Sequence, residues 1–125
     1  ILRRICLNPK QCEIWLVDLN PTKGQEINKR RTCVVVSDDA IGKLKNKTVV
    51  PLTEWKEVFE LVPWMIKIDK SDTNNLDKTS ASDTFQIRNL STERFIKKIG
   101  VIESVQLFKI HESIVKTLNI SYSIK

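Results

Sequence analysis

Histidine is almost missing from this chain: His111 is the single one in 125 residues. Two imidazoles passing a proton between them are therefore excluded, and a lone His on the flank of the last apolar-periodic segment reads as structural. Glycine is nearly as scarce. With only Gly24, Gly42 and Gly100, neither a phosphate-cradling loop nor a dinucleotide fingerprint can be assembled, and no nucleophile-elbow motif is present. The three cysteines, Cys6, Cys12 and Cys33, form no CxxC pair and leave one unpaired in any disulfide scheme, which points to a reducing compartment. One His and scattered Cys give no metal-ligand spacing, so neither a metal nor another cofactor is expected. No apolar run approaches a membrane span, and the basic opening ILRRICLNPK carries no signal-peptide apolar core. A cytoplasmic protein without membrane contact is the expectation.

What is present is an ordinary globular composition, 41% hydrophobic with three Trp, in a length suited to a single domain over residues 1–125. The net charge of +6 is unevenly placed. Residues 1–47 hold ten Lys/Arg against five Asp/Glu, and the remainder eleven against ten. An anionic partner met by the N-terminal part is the reading: nucleic acid, an acidic protein or a membrane surface.

Five segments read as strands. In CEIWLVDL, Cys12 to Leu19, residues Cys12, Ile14 and Leu16 alternate with Trp15, Val17 and Leu19, so both faces are apolar and both should be buried. NPTKGQEINKRR is a long polar loop, and Thr32 to Ser37 is a second strand. There three cations, Lys29, Arg30 and Arg31, abut a β-branched run. Asp38 to Lys47 is a charged turn with at most one helical turn. TVVPLT, Thr48 to Thr53, is a third strand whose Pro51 cannot donate to a ladder and so predicts an edge or a bulge. WMIKI (Trp64 to Ile68) and DTFQIR (Asp83 to Arg88) follow, separated by a polar loop. The period then changes. Ser91 or Thr92 can cap a short helix running through Lys98 and stopped by Gly100. A longer helix from about Glu103 to Leu118 places Leu107, Ile110, Ile114 and Leu118 on one stripe. The whole reads as α+β, mainly β: a small antiparallel barrel with a short helix and a longer C-terminal one.

The remaining chemical inventory is a basic loop, hydroxyls and strand-borne polar groups. It permits RNA cleavage by the substrate's own 2′-hydroxyl, where the enzyme need only align the sugar–phosphate and stabilise negative charge. Arg can grip two phosphate oxygens and a Thr hydroxyl can donate to a third. The inventory permits this reaction without selecting it.

The blocks CEIWLVDLNPTKGQEINKRR, TCVVVS, VVPLT and SASDTFQIRNLSTERFIKKIG, in that order, resemble the MazF/PemK family of toxin endoribonucleases from about Cys12 to Leu118. The resemblance implies an SH3-like barrel, a homodimer, and metal-independent cleavage of single-stranded RNA at short sequences. It also implies neutralisation by an acidic cognate antitoxin, with DNA contacted only through the antitoxin complex. Arg31 matches the family's catalytic Arg, and Thr53 its catalytic Thr or Ser. Gln86 and Arg88 match a motif bordering the RNA groove. Lys23, Asn28, Lys29 and Arg30 are further RNA-binding candidates, on a loop expected to be mobile and to close over RNA. Read without the resemblance, Thr53 serves equally as a strand-end cap and Arg88 as a surface cation. The same barrel also serves a non-catalytic toxin that binds DNA gyrase, and a DNA-binding autorepressor subunit is a third alternative.

This sequence departs from the family pattern in three places. Cys12 stands where the first strand normally opens with Gly. Thr32 stands where a Pro would bias Arg31 towards extended backbone. Phe85 stands where relatives carry an acidic residue. On an ideal strand Asp83 shares the face of Phe85 and could substitute for that carboxylate. The same alternation points Gln86 and Arg88 at RNA and Phe85 and Ile87 into the core.

Overall fold

The computed structural model describes residues 7–19, 29–41 and 45–121. Seven strands and one helix run in the order β1 (Glu13–Asp18), β2 (Arg30–Val35), β3 (Asn46–Glu54), β4 (Met65–Ile68), β5 (Ser80–Asp83), β6 (Arg88–Ser91), β7 (Phe95–Val101) and α1 (Ser104–Thr117). Every pairing is antiparallel. Across the sheet the path is β4-β5-β3-β2-β1-β7, with β6 also paired to β3. The fold is thus a mainly antiparallel wrap with a C-terminal helix. It is barrel-like without closing, because β4 and β7 remain its two ends.

Both faces of the central strands are indeed buried, and alternation sorts them into two clusters. Ile14, Val34, Val50 and Leu52 meet Leu107 and Ile110 of α1 in one cluster. Trp15, Val17, Cys33, Val35 and Val49 meet Leu90 and Phe95 in the other, where Trp15 and Phe95 pack edge-on at 5.7 Å. Among the described residues no helix is long and apolar enough to cross a membrane.

β3 is an interior strand, not an edge. Its first half pairs β6 as far as Val49↔Arg88, and its second half pairs β5 from Leu52↔Ser82 onward. Pro51 falls in the interval between these partners on that flank, where a missing N–H is tolerated. On the other flank it lies opposite Cys33.

Two expected elements differ. The single strand over Asp83 to Arg88 is split by a 3-10 turn at Thr84–Gln86, because the Asp83 carboxylate accepts from Phe85 N at 3.2 Å and bends the chain locally. The short helix through Lys98 is replaced by β7. Ser91 does cap, its Oγ accepting from Glu93 N at 3.2 Å, but the turn ends at Arg94 and Phe95–Val101 pairs with β1. Gly100 is therefore no helix stop. A Cβ there would lie 2.4 Å from the carbonyl oxygen of Asn74, where the loop after β4 crosses the strand. That loop is polar as expected but packed. Buried Asn74 donates to Asp69 O at 2.8 Å and accepts from Ser71 N at 2.9 Å and Leu76 N at 3.0 Å.

On α1, Leu107 and Ile110 are buried and Ile114 packs at the cluster edge. Leu118, at the C-cap, is exposed, and Ser113 takes the buried place. His111 is structural: its Nε2 lies 3.0 Å from Val36 O.

Candidate active site

Alternation places Arg31 on the same face of β2 as Cys33 and Val35, and Thr53 on the same face of β3 as Val49 and Pro51. Both belong to the rows that build the second apolar cluster. Each row turns polar at the same end of the sheet. The β2–β3 register, Val35↔Val49 to Cys33↔Pro51, brings Thr53 opposite Arg31 when continued by two residues. Arg31 is also locked in the ladder against Val17 of β1. That pairing supplies the extended backbone a following Pro would have favoured, so Thr32 leaves the Arg31 backbone extended.

The result is an open cleft of about 480 Å³. Of the expected site residues it gathers Lys29, Arg31, Thr53, Gln86 and Arg88, and Asp83 joins them in its lining. Arg30 instead lines an adjoining cleft of about 350 Å³ with Asp77 and Lys78; the two clefts share Arg31, Leu52 and Thr53. Lys23 and Asn28, and with them most of the loop expected to close over RNA, lie outside the described residues. Gln86 and Arg88 do share a side, but a turn puts them there and not strand alternation. The same turn reverses the expectation for Phe85, which is 67% exposed, while Thr84 is buried in its stead. Asp83 and Phe85 accordingly do not share a strand face.

Among the described residues, neither Arg31 nor Arg88 has an ion-pair partner. Both stand near a dry floor. The buried Cys33 thiol is pushed up to about 12 by burial, with the Arg88 and Arg31 charges opposing the rise. Cys33 is thus a neutral packing group that feels both guanidinium fields. The Asp83 carboxyl sits above its ordinary value because burial outweighs the hydrogen bonds from Phe85 N and Gln86 N. It is the one carboxylate lining the main cleft among the described residues. No three His, Cys, Asp or Glu side chains cluster as a metal would require, again among the described residues.

The far wall is aromatic and was not legible in the sequence. Phe59, on a 3-10 turn at Glu57–Leu61, and Met65 of β4 line it. Trp55 braces Phe59 edge-on at 5.7 Å, and Lys67 Nζ lies 5.4 Å from the Trp55 ring centroid. EWKEVFELVP, residues 54–63, has no strand or helix period that would have placed it.

Residues 10–118 match the family described as PemK-like, MazF-like toxin of type II toxin–antitoxin systems. The chain belongs to the PemK/MazF toxin family. Among its relatives is the endoribonuclease MazF9 of Mycobacterium tuberculosis (strain ATCC 25618 / H37Rv), 32% identical over 108 residues, covering 82% of this chain and 89% of that protein. Solved structures share the fold of this PemK/MazF chain. The Mycobacterium tuberculosis toxin MazF-mt6 superposes with a TM-score of 0.70 at 17% identity, over 88% of this chain and 99% of that one. A mycobacterial endoribonuclease in complex with its cognate antitoxin gives 0.72 at 16% identity, over 92% and 99%.

Proposed function

We propose that this PemK/MazF chain is an endoribonuclease toxin that cuts single-stranded RNA at short sequences in the cytoplasm, without a metal. The observation that carries this reading is the convergence of Arg31, Arg88 and Thr53, with Asp83, in one cleft whose two arginines form no ion pair among the described residues. Such a cleft suits a phosphate. The RNA 2′-hydroxyl attacks phosphorus and the bond to the 5′ oxygen breaks, leaving a 2′,3′-cyclic phosphate. Asp83 takes the proton released by the 2′-hydroxyl, and water protonates the departing oxygen. Arg31 and Arg88 stabilise the charge on the non-bridging oxygens, and Thr53 donates to one of them. Arg31 serves as a fixed charge and not as a proton donor, since guanidinium does not deprotonate in proteins. Lys29 and Gln86 hold the flanking nucleotides, with Arg30 extending the track into the adjoining cleft.

A homodimer neutralised by an acidic antitoxin completes the proposal. The Arg31 and Arg88 guanidinium groups suit an acidic peptide equally well, so RNA and antitoxin compete. The test is incubation of RNA with the purified protein in chelator. Wild type yields cyclic-phosphate ends, while Arg31→Ala loses about a hundredfold or more in rate, as for removal of one preorganised charge donor. Thr53→Ala loses activity in the same direction. Deoxyribose at the cut position blocks the reaction. Equal cleavage by all three proteins would reject the site, and cleavage only with added divalent ion would reject metal independence.

A further inference from the structure

Phe85 and Trp64 are both exposed, at 67% and 37%, whereas Trp15 and Phe95 fill the core; Phe108 on α1 is also exposed, at 66%, but lines neither cleft. Their ring centroids are 5.6 Å apart and tilted by 39°. This pair is mounted, not dangling. Asp83 Oδ1 accepts from Phe85 N at 3.2 Å, and Thr84 N donates to Trp64 O at 3.1 Å. Thr84 itself is clamped below by its hydroxyl contact with Ser113 at 2.6 Å. The fold thus uses a buried threonine to hold a phenylalanine out in water, against the hydrophobic gain of turning it inward.

Phe85 forms a wall of a second open cleft of about 600 Å³, together with Asn89 and Arg94. Arg94 is held in place by donating to Asp18 O at 3.1 Å. This second cleft shares Leu19, Gln86 and Arg88 with the candidate active site. Arg88 therefore stands between a phosphate-binding cleft and an aromatic one. An unpaired nucleotide whose phosphate meets Arg88 on one side brings its base alongside Phe85 on the other. Aromatic faces with neighbouring cations are the common means of holding single-stranded bases, because every base offers a π-face.

We propose that Phe85, backed by Trp64, is the stacking platform for one unpaired RNA base beside the scissile phosphate. This rests on the endoribonuclease reading above. Stacking supplies affinity, and the Gln86 and Asn89 amides at the same cleft supply donors and acceptors for that base's edge.

The test first maps a cut with wild-type protein on a single-stranded oligoribonucleotide. Binding is then measured on the same oligonucleotide carrying deoxyribose at the cut position, and on a set in which each position in turn is abasic. Phe85→Ala weakens binding of the intact oligonucleotide by about five- to a hundredfold, the range for loss of one base–aromatic stack. Phe85→Trp keeps it within about threefold, since a π-face remains. At one abasic position wild type suffers the same loss, and Phe85→Ala adds little further to it. Wild type that cuts RNA while Phe85→Ala binds the intact strand equally well overturns the platform alone. So does a Phe85→Ala loss of the same size at every abasic position, because no single base would then be its partner. Wild type that neither cuts nor binds RNA overturns the endoribonuclease reading and the platform with it.

Discussion

Ser113→Ala is the most informative single change, because it acts on the site from beneath. Ser113 Oγ donates to Ile110 O at 2.7 Å, which uses its one proton. The 2.6 Å contact with Thr84 Oγ1 must then be donated by Thr84. Both side chains are buried, at 2% and 1% exposure, so removing the Ser113 hydroxyl strands a donor away from water. Leaving such a group unsatisfied costs about 1–3 kcal/mol, or a fall in melting temperature on the order of 3–12 °C for a domain of this size. The donor argument makes the cost asymmetric. Thr84→Val alone leaves Ser113 bonded to Ile110 O, so it costs less, and the double variant should be more stable than Ser113→Ala alone. Urea unfolding followed by circular dichroism reads all three. Cleavage should follow the same order, since the clamped turn carries Asp83, Phe85 and Gln86. A double variant no more stable than Ser113→Ala would refute the assignment of Thr84 as donor.

Asp83→Asn should remove the acid limb of the pH–rate profile. With Asp83 as the proposed base, wild-type activity should rise with pH through the Asp83 pKa, which burial lifts above its ordinary value, so that limb should lie higher than for a solvated carboxylate. Because the folded pKa is raised, the native state binds the proton more tightly than the unfolded chain. The stability this contributes is present at low pH and lost as pH rises through the folded pKa. Asp83→Asn should therefore flatten that stability loss in melts taken across this window. Cys12 has φ 78°, in the left-handed region, so Cys12→Gly should stabilise by up to about 1 kcal/mol, checked by calorimetry. Gly100→Ala drives a Cβ to 2.4 Å from Asn74 O, and should cost about 1–3 kcal/mol or more in chemical unfolding.

The parts legible in the sequence were those whose signal is local or repeats along the chain. The doubly apolar β1, the start of β2 at the basic triplet and the last helix all follow from periodicity. The family pattern places a glycine where this chain has Cys12, and the positive φ of Cys12 gives the reason. What could not be read depends on distant partners. STERFIKK has a good cap and helix-compatible residues, yet β1 offers Phe95 to Val101 a ladder and a buried face, and pairing outweighs propensity. Gly100 looked like a stop because the backbone it accommodates comes from Asn74. At the site, Arg31 and Thr53 were picked out by the family resemblance, and only their positions at strand ends could be read from periodicity. The exposure of Phe85 depends on one carboxylate bonding to a backbone N–H two residues away, a choice that strand alternation cannot express. The Phe59 wall comes from a segment with no period at all.

Because Arg31 and Arg88 have no ion-pair partner among the described residues, folding and occupancy should be linked. Two cations above an apolar floor repel each other, and among the described residues neither forms an ion pair that would offset this. Any polyanion that enters binds the native state and not the unfolded one, so it must raise the melting temperature according to its concentration and affinity. The identity of the buffer anion will therefore matter, and not only its ionic strength. Phosphate, which can match a guanidinium fork, should protect the fold more than chloride at equal ionic strength. On the proposed reading, such a protein should be least stable when its cleft is empty and most stable when an acidic partner fills it.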